Sequence, residues 1–172
     1  MNSIHPVYVL DTNVFVEASR HYYAFDIVPR FWQSLIKQAE NGRIQSIDRV
    51  KDELDKGGED KDELKIWAKN DFHTWFASTD EDTVLDAYRK IIEWANGQQQ
   101  YMGAAKEEIS RGDNADAWVV AYALSMNYVV VTQEGDQPQA RKRIPIPNVC
   151  KAFDIHWIDI YQMLRNLRIK IC

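Results

Sequence analysis

Hydrophobic positions along the chain follow two rhythms. Residues 7–10 (Val7-Tyr8-Val9-Leu10) and 128–131 (Tyr128-Val129-Val130-Val131) are unbroken apolar runs, which suit strands buried on both faces, as in a parallel sheet. Shorter runs at 44–47 and 156–158 predict two more strands. Elsewhere apolar residues recur every three or four positions, the helical period. Val28, Phe31, Trp32, Leu35, Ile36 and Ala39 mark one helix, with Pro29 in its first turn and Asn41-Gly42 at its end. Ile47, Val50 and Leu54 mark a second, stopped by Gly57-Gly58, and Leu64, Trp67 and Ala68 a third. Val84, Leu85, Tyr88, Ile91 and Ile92 form the inward stripe of a helix over 80–95. Residues 102–110 predict another helix. The helix over 113–126 is apolar almost all round (Ala115, Trp118, Val119, Tyr122, Ala123, Met126), so it is expected to be central. Short helices are expected at 14–19, capped by Thr12 or Asn13, and at 148–153, with a final amphipathic helix over 159–168. Residues 22–27, 98–100 and 133–143 read as loops.

Strands alternating with helices, each main strand a continuous apolar run, imply an α/β fold: a three-layer α/β/α sandwich around a central parallel sheet. No internal repeat, linker or low-complexity tract divides the sequence, and 172 residues suit a single domain, 1–172. Composition adds exclusions. The chain is 45% hydrophobic and 27% charged, ordinary for a globular protein, with no run long enough to span a bilayer and no signal-peptide pattern. Cys150 and Cys172 form neither a disulfide framework nor zinc spacing and fit a reducing, cytoplasmic setting. The net charge of −5 argues against a protein that simply coats phosphate. That charge is uneven: from Gln137 onward seven basic residues, among them Arg141, Lys142 and Arg143, face two acidic ones. His5, His21, His73 and His156 are scattered and read as structural or exposed.

Acidic residues then single out one edge. Asp11 ends the first strand; it is a metal ligand or nucleophile, or else the N-cap of the next helix. Glu53 lies three residues after Val50, bordering the buried face, or else it is a solvated helix glutamate. Asp116 stands in the first turn of the apolar helix; helix-dipole complementation, or a reciprocal cap with Asp113, is the alternative, and it suits Asp113 better than Asp116, whose neighbours are all going inside. Glu134 follows the strand that ends at Thr132 and shares the edge with Asp11, or is a surface-loop acid. Together three or four carboxylates gather at carboxyl ends of parallel strands, where open α/β sheets bind ligands. Like charges in one cleft raise each other's pKa unless a cation is present. Oxygen donors without His or Cys point to Mg²⁺ or Mn²⁺. Such a site suits phosphodiester hydrolysis, by one metal that activates water or by a pair ~4 Å apart.

The strand ending Leu10-Asp11-Thr12-Asn13, the Val50-x-x-Glu53-Leu54 helix, the helix 116–123 and the strand 129–132 occur in the order and spacing of a PIN domain, and the sequence resembles that family over nearly its whole length. The resemblance implies a Mg²⁺- or Mn²⁺-dependent endoribonuclease, the toxin of a toxin–antitoxin pair. It also implies RNA as substrate, an antitoxin protein as partner, and a homodimer. By that resemblance Asp11, Glu53 and Asp116 match acidic ligand positions, and Asn13 and Thr132 match polar residues that brace the site. Where the family often has an aspartate two residues after the strand-end threonine, this sequence has Glu134, one methylene longer. Asp113 is a candidate to substitute for it. Arg141, Lys142, Arg143, Arg165 and Arg168 are candidate phosphate contacts, or else ordinary solvated surface. Two other readings stand beside this one. A PIN-like fold without catalysis would serve as a protein-binding module, which the net acidity and Glu134 favour. A haloacid-dehalogenase-type phosphatase would need a second aspartate where the chain has Asn13, and this reading ranks last.

Overall fold

The computed structural model describes residues 4–172. Five strands form one all-parallel sheet in the order β3-β2-β1-β4-β5. These are β1 (Tyr8–Leu10), β2 (Ile44–Ile47), β3 (Phe76–Ala77), β4 (Val129–Val131) and β5 (Trp157–Ile158). Val9 pairs with Gln45 on one side and Val130 on the other, so β1 is interior. Tyr8, Val9 and Leu10 are all buried, as an unbroken apolar run predicts for a strand covered on both faces. Helices cover the sheet, giving the expected three layers: α1 (Thr12–Glu17), α2 (Pro29–Glu40), α3 (Asp48–Lys56), α4 (Glu63–Asn70), α5 (Asp82–Gly97), α6 (Gly103–Ser110), α7 (Asp116–Met126), α8 (Ile146–Ala152) and α9 (Ile160–Asn166). Among the described residues no helix is long and apolar enough to cross a membrane.

The strand order places the functional edge. From β1 the chain builds outward through β2 and β3, then returns past β1 to lay down β4 and β5 on the other side. The direction of winding therefore reverses between β1 and β4, and at such a switch point the loops leaving the two strands part to leave a crevice. Asp11 leaves β1 there and Thr132 leaves β4. The central helix is α7, whose residues Ala117 to Ala123 are all buried against β1, β2, β4, α5 and α8. It ends at Asn127 in the left-handed region (φ 57°), a conformation Asn adopts at low cost.

Several local expectations are corrected. Asp11, not Thr12 or Asn13, caps α1, its side chain accepting from the Thr12 amide. The first helix does not stop at Ser19; it widens into a π-helical turn over Ala18–Tyr22. The strand β3 (Phe76–Ala77) is not among those expected: it is two residues long and directly follows a 3-10 turn, too short for a sequence pattern to mark as a strand. Helix α7 starts at Asp116 rather than Asp113 because the Asn114 side chain accepts the Asp116 amide at 2.9 Å and turns the chain just before it. Helix α8 starts at Ile146, since Pro147 fits a first helical turn where its missing N–H costs nothing.

Candidate active site

Asp11 is 2% exposed. Its Oδ1 accepts from the Thr12 amide at 2.7 Å and its Oδ2 from the Thr132 hydroxyl at 3.2 Å. Asp11 thus caps the helix with one oxygen, and its other oxygen is held by Thr132, the residue after β4. Asn13 ties the same two strand ends together. Its Nδ2 donates to Thr132 Oγ1 at 3.4 Å and its Oδ1 accepts from the Gln133 amide at 3.1 Å. Asn13 and Thr132 therefore fix Asp11 in place.

Glu53 reaches the edge from α3. Its Oε2 accepts from the Thr12 hydroxyl at 2.6 Å and its Oε1 from the Ala115 amide at 2.8 Å. This glutamate joins the starts of α1 and α7, the two helices that carry Asp11 and Asp116. The sequence pointed to Thr12 only as a candidate helix cap; nothing in a threonine beside a strand-end aspartate signals that it will hold Glu53. Asp116, 18% exposed, and Glu134, 10% exposed, share one cation: the Arg143 guanidinium, whose Nη2 donates to Asp116 Oδ2 at 3.3 Å and to Glu134 Oε1. The second oxygen of Glu134 accepts from the Ile146 amide at 2.7 Å, and its own amide donates to Thr132 Oγ1.

Electrostatics mark the same cluster. Burial, then the charges of Asp116 and Glu134, hold the Asp11 carboxyl well above the usual carboxylate range. Asp116 is pushed up to about 6 by burial, Glu134 and Glu53, with Arg143 opposing. Beneath them Cys150 is fully buried, and burial, with Asp11 and Glu134 nearby, pushes its thiol up to about 12; it is an inert floor. Asp113 stands apart. It faces solvent, paired with Arg111 at 3.1 Å, which holds its carboxyl below the usual value.

The cluster opens into a cleft of about 430 Å³ lined by Asp11, Thr12, Asn13, Glu53, Asp116, Glu134 and Arg143. A second cleft, of about 390 Å³, shares Glu53, Asp116 and Arg143 with it and carries Lys56, Arg111 and Asp113. Among the described residues no group of three His, Cys, Asp or Glu side chains stands ready to hold a metal ion. Glu53 is turned onto Thr12 and Ala115, and Arg143 occupies Asp116 and Glu134.

The reversing parallel sheet with helices on both faces is a PIN-like α/β/α fold. Among solved structures with the same fold are FitAcB from Neisseria gonorrhoeae (TM-score 0.53, 16% identity, covering 88% of this chain and 96% of that one) and VapBC-1 from nontypeable Haemophilus influenzae (0.51, 20%, 89% and 97%). VapBC2 from Rickettsia felis, solved bound to a DNA fragment from their promoter, is a third (0.51, 15%, 89% and 98%). The chain belongs to the family described as "Domain of unknown function (DUF4411)", whose profile matches residues 8–171. No curated protein matches it in sequence.

Proposed function

We propose that the chain is a Mg²⁺- or Mn²⁺-dependent endoribonuclease and the toxin of a toxin–antitoxin pair. The observation that carries the reading is the buried Asp11, held by Thr12 and Thr132, its carboxyl raised above the usual range first by burial and then by Asp116 and Glu134. A fold does not gather like charges at a strand end for stability, because each raises the cost of ionising the others. The donor chemistry fits a hard divalent cation: every candidate ligand is a carboxylate oxygen, and a cation, the Arg143 guanidinium, is already seated on two of them. Asp11, Glu53 and Asp116 would hold the ion. When bound, it supplies Lewis-acid activation of water and of the phosphoryl oxygen.

The chain's own residues do the rest. Asn13 and Thr132 fix the orientation of Asp11, Thr12 keeps Glu53 at the edge, and a carboxylate of the cluster takes the proton from the attacking water. Arg143, and Lys56 in the adjoining cleft, bind phosphates. The likeness in fold to VapBC2, VapBC-1 and FitAcB supports an antitoxin partner; the homodimer is carried over from the sequence resemblance to PIN domains alone.

The test is cleavage of a mixed RNA pool with Mn²⁺ by wild type, Asp11→Asn and Asp116→Asn. Wild type cleaves, and each substitution lowers the rate by at least ~100-fold, the scale on which removal of one charge-stabilising group acts. An intact RNA pool with wild type overturns the proposal. One observation favours a second reading, a protein-binding module without catalysis: Arg143 sits where a cation would. On that reading Asp11→Asn leaves partner binding unchanged and no variant cleaves RNA.

A further inference from the structure

Arg143 is held in place by its surroundings, unlike a surface arginine on a free loop. The segment that carries it is pinned along its length. Gln100 donates to the Pro138 and Ala140 carbonyls at 2.7 and 2.8 Å, and the Met102 amide donates to the Arg141 carbonyl at 2.8 Å. Asn148 bonds both the amide and the carbonyl of Gln137. Ile144, next in the chain, is buried. The guanidinium itself is half exposed, between two acids that are mostly covered. Glu134 is committed on both oxygens, one to Arg143 and one to the Ile146 amide. It thus anchors the loop that carries the arginine as well as the arginine itself.

We infer that the Arg143 guanidinium takes the place of a second metal ion. On this account the edge accepts one divalent cation, and Glu134 is a positioning residue for Arg143 rather than a metal ligand. Guanidinium is planar with five N–H donors; Nη2 spends both of its own on Asp116 and Glu134, while Nε and Nη1 keep theirs on a side chain that lines the cleft. These are single donors to a phosphate oxygen, since either two-pronged fork of the group needs Nη2. A fixed cation of this kind neutralises charge on the phosphodiester as a second metal does, without having to be recruited from solution. The carboxylate of Glu134 spans Arg143 and Ile146 with one oxygen on each. This inference rests on the metal-dependent reading above and adds the number of ions and the group that faces the phosphate.

The experiment is calorimetric titration of the full chain with Mn²⁺, comparing wild type with Arg143→Gln, Arg143→Lys and Glu134→Gln. Wild type is expected to take one ion per chain. Arg143→Gln leaves Asp116 and Glu134 facing each other without a counter-charge and is expected to take a second. Arg143→Lys restores the charge and returns to one ion, a rescue that a purely structural role would not produce. Glu134→Gln keeps the one ion, because Glu134 does not ligate it. Two ions on wild type, a single ion on Arg143→Gln, or loss of the ion in Glu134→Gln overturns this inference and leaves the metal-dependent reading standing. No Mn²⁺ bound by any of the four removes the metal-dependent reading and this inference with it. The wild-type stoichiometry decides between one ion and two whether or not each variant folds.

Discussion

Two regions meet on helix α1, and they are built on opposite principles. On one side Phe15 enters an aromatic cluster. It lies 5.6 Å from Phe72 and 5.9 Å from Trp67, Trp67 stacks on Phe72 at 5.0 Å, and Trp32 meets Trp67 at 4.8 Å. Phe25 stacks on Trp32 at 4.0 Å, beside an open cleft of about 550 Å³. Such pairs contribute about 0.5–1.5 kcal/mol each beyond the area they bury. On the other side, one helical turn away, Asp11 and Asp116 are carboxyls whose neighbours oppose their ionisation. The first region lowers the free energy of the fold. The second raises it and is kept in shape by hydrogen bonds from Thr12, Asn13, Thr132 and the Ala115 amide. The cleft beside the aromatic cluster is the larger, yet its lining acids are Glu40 and Asp71, against Asp11, Glu17, Glu53, Asp116 and Glu134 in the other. Size alone therefore does not locate the chemistry; unfavourable charge held in a fixed geometry does.

The comparison can be broken from either side. The largest effect is expected at Phe72, which is fully buried: Phe72→Ala removes a ring from the centre of the cluster and costs about 3–5 kcal/mol of unfolding free energy in urea. The proposed Mn²⁺-dependent cleavage is expected to be unchanged in the fraction that remains folded, since the ring contacts of Phe72 are with Phe15, Trp67, Trp75 and Phe76 and not with the acids. The smallest is expected at Asp113. It is exposed and its carboxylate pairs with Arg111, so Asp113→Ala is expected to leave the urea midpoint, and the proposed RNA cleavage, at wild-type values. A cleavage rate that falls with Asp113→Ala would extend the site into the adjoining cleft.

The parts of this arrangement that were legible in the sequence are those carried by contiguous residues. The runs that became β1 and β4 are strands with no alternation, and α7 is apolar on every side, so periodicity marked both the sheet and its central helix. Asp11, Glu53, Asp116 and Glu134 were identifiable as acids at strand ends and helix starts, and all four border one cleft. Long-range pairing was not legible. Thr12 holds Glu53 from 41 positions away. Arg143 reaches Asp116 across 27 positions, and in sequence it was one of three adjacent basic residues with nothing to distinguish it. Asp113 seemed to share a helix with Asp116 because the Asx turn made by Asn114 leaves no trace in hydrophobic period.

The central claim is that the carboxylate edge carries charge the fold alone does not compensate. Asp116 has a pKa of 3.8 in its ordinary setting and about 6 here, and Asp11 is shifted in the same direction. The folded chain therefore binds these protons more tightly than the unfolded chain does. Their contribution to stability is fully present below the ordinary value and is lost as pH rises through the folded value. The direct measurement is the difference in unfolding free energy between Asp11→Asn and wild type, in chelator, as a function of pH. Asn keeps the cap on α1 and removes the charge. The account predicts that Asp11→Asn is the more stable protein at neutral pH, by on the order of 1 kcal/mol, and that the gain shrinks as pH falls and wild type takes up its protons. An Asp11→Asn protein that is equal to or less stable than wild type across the whole range would make Asp11 a helix cap and nothing more, and would contradict the account.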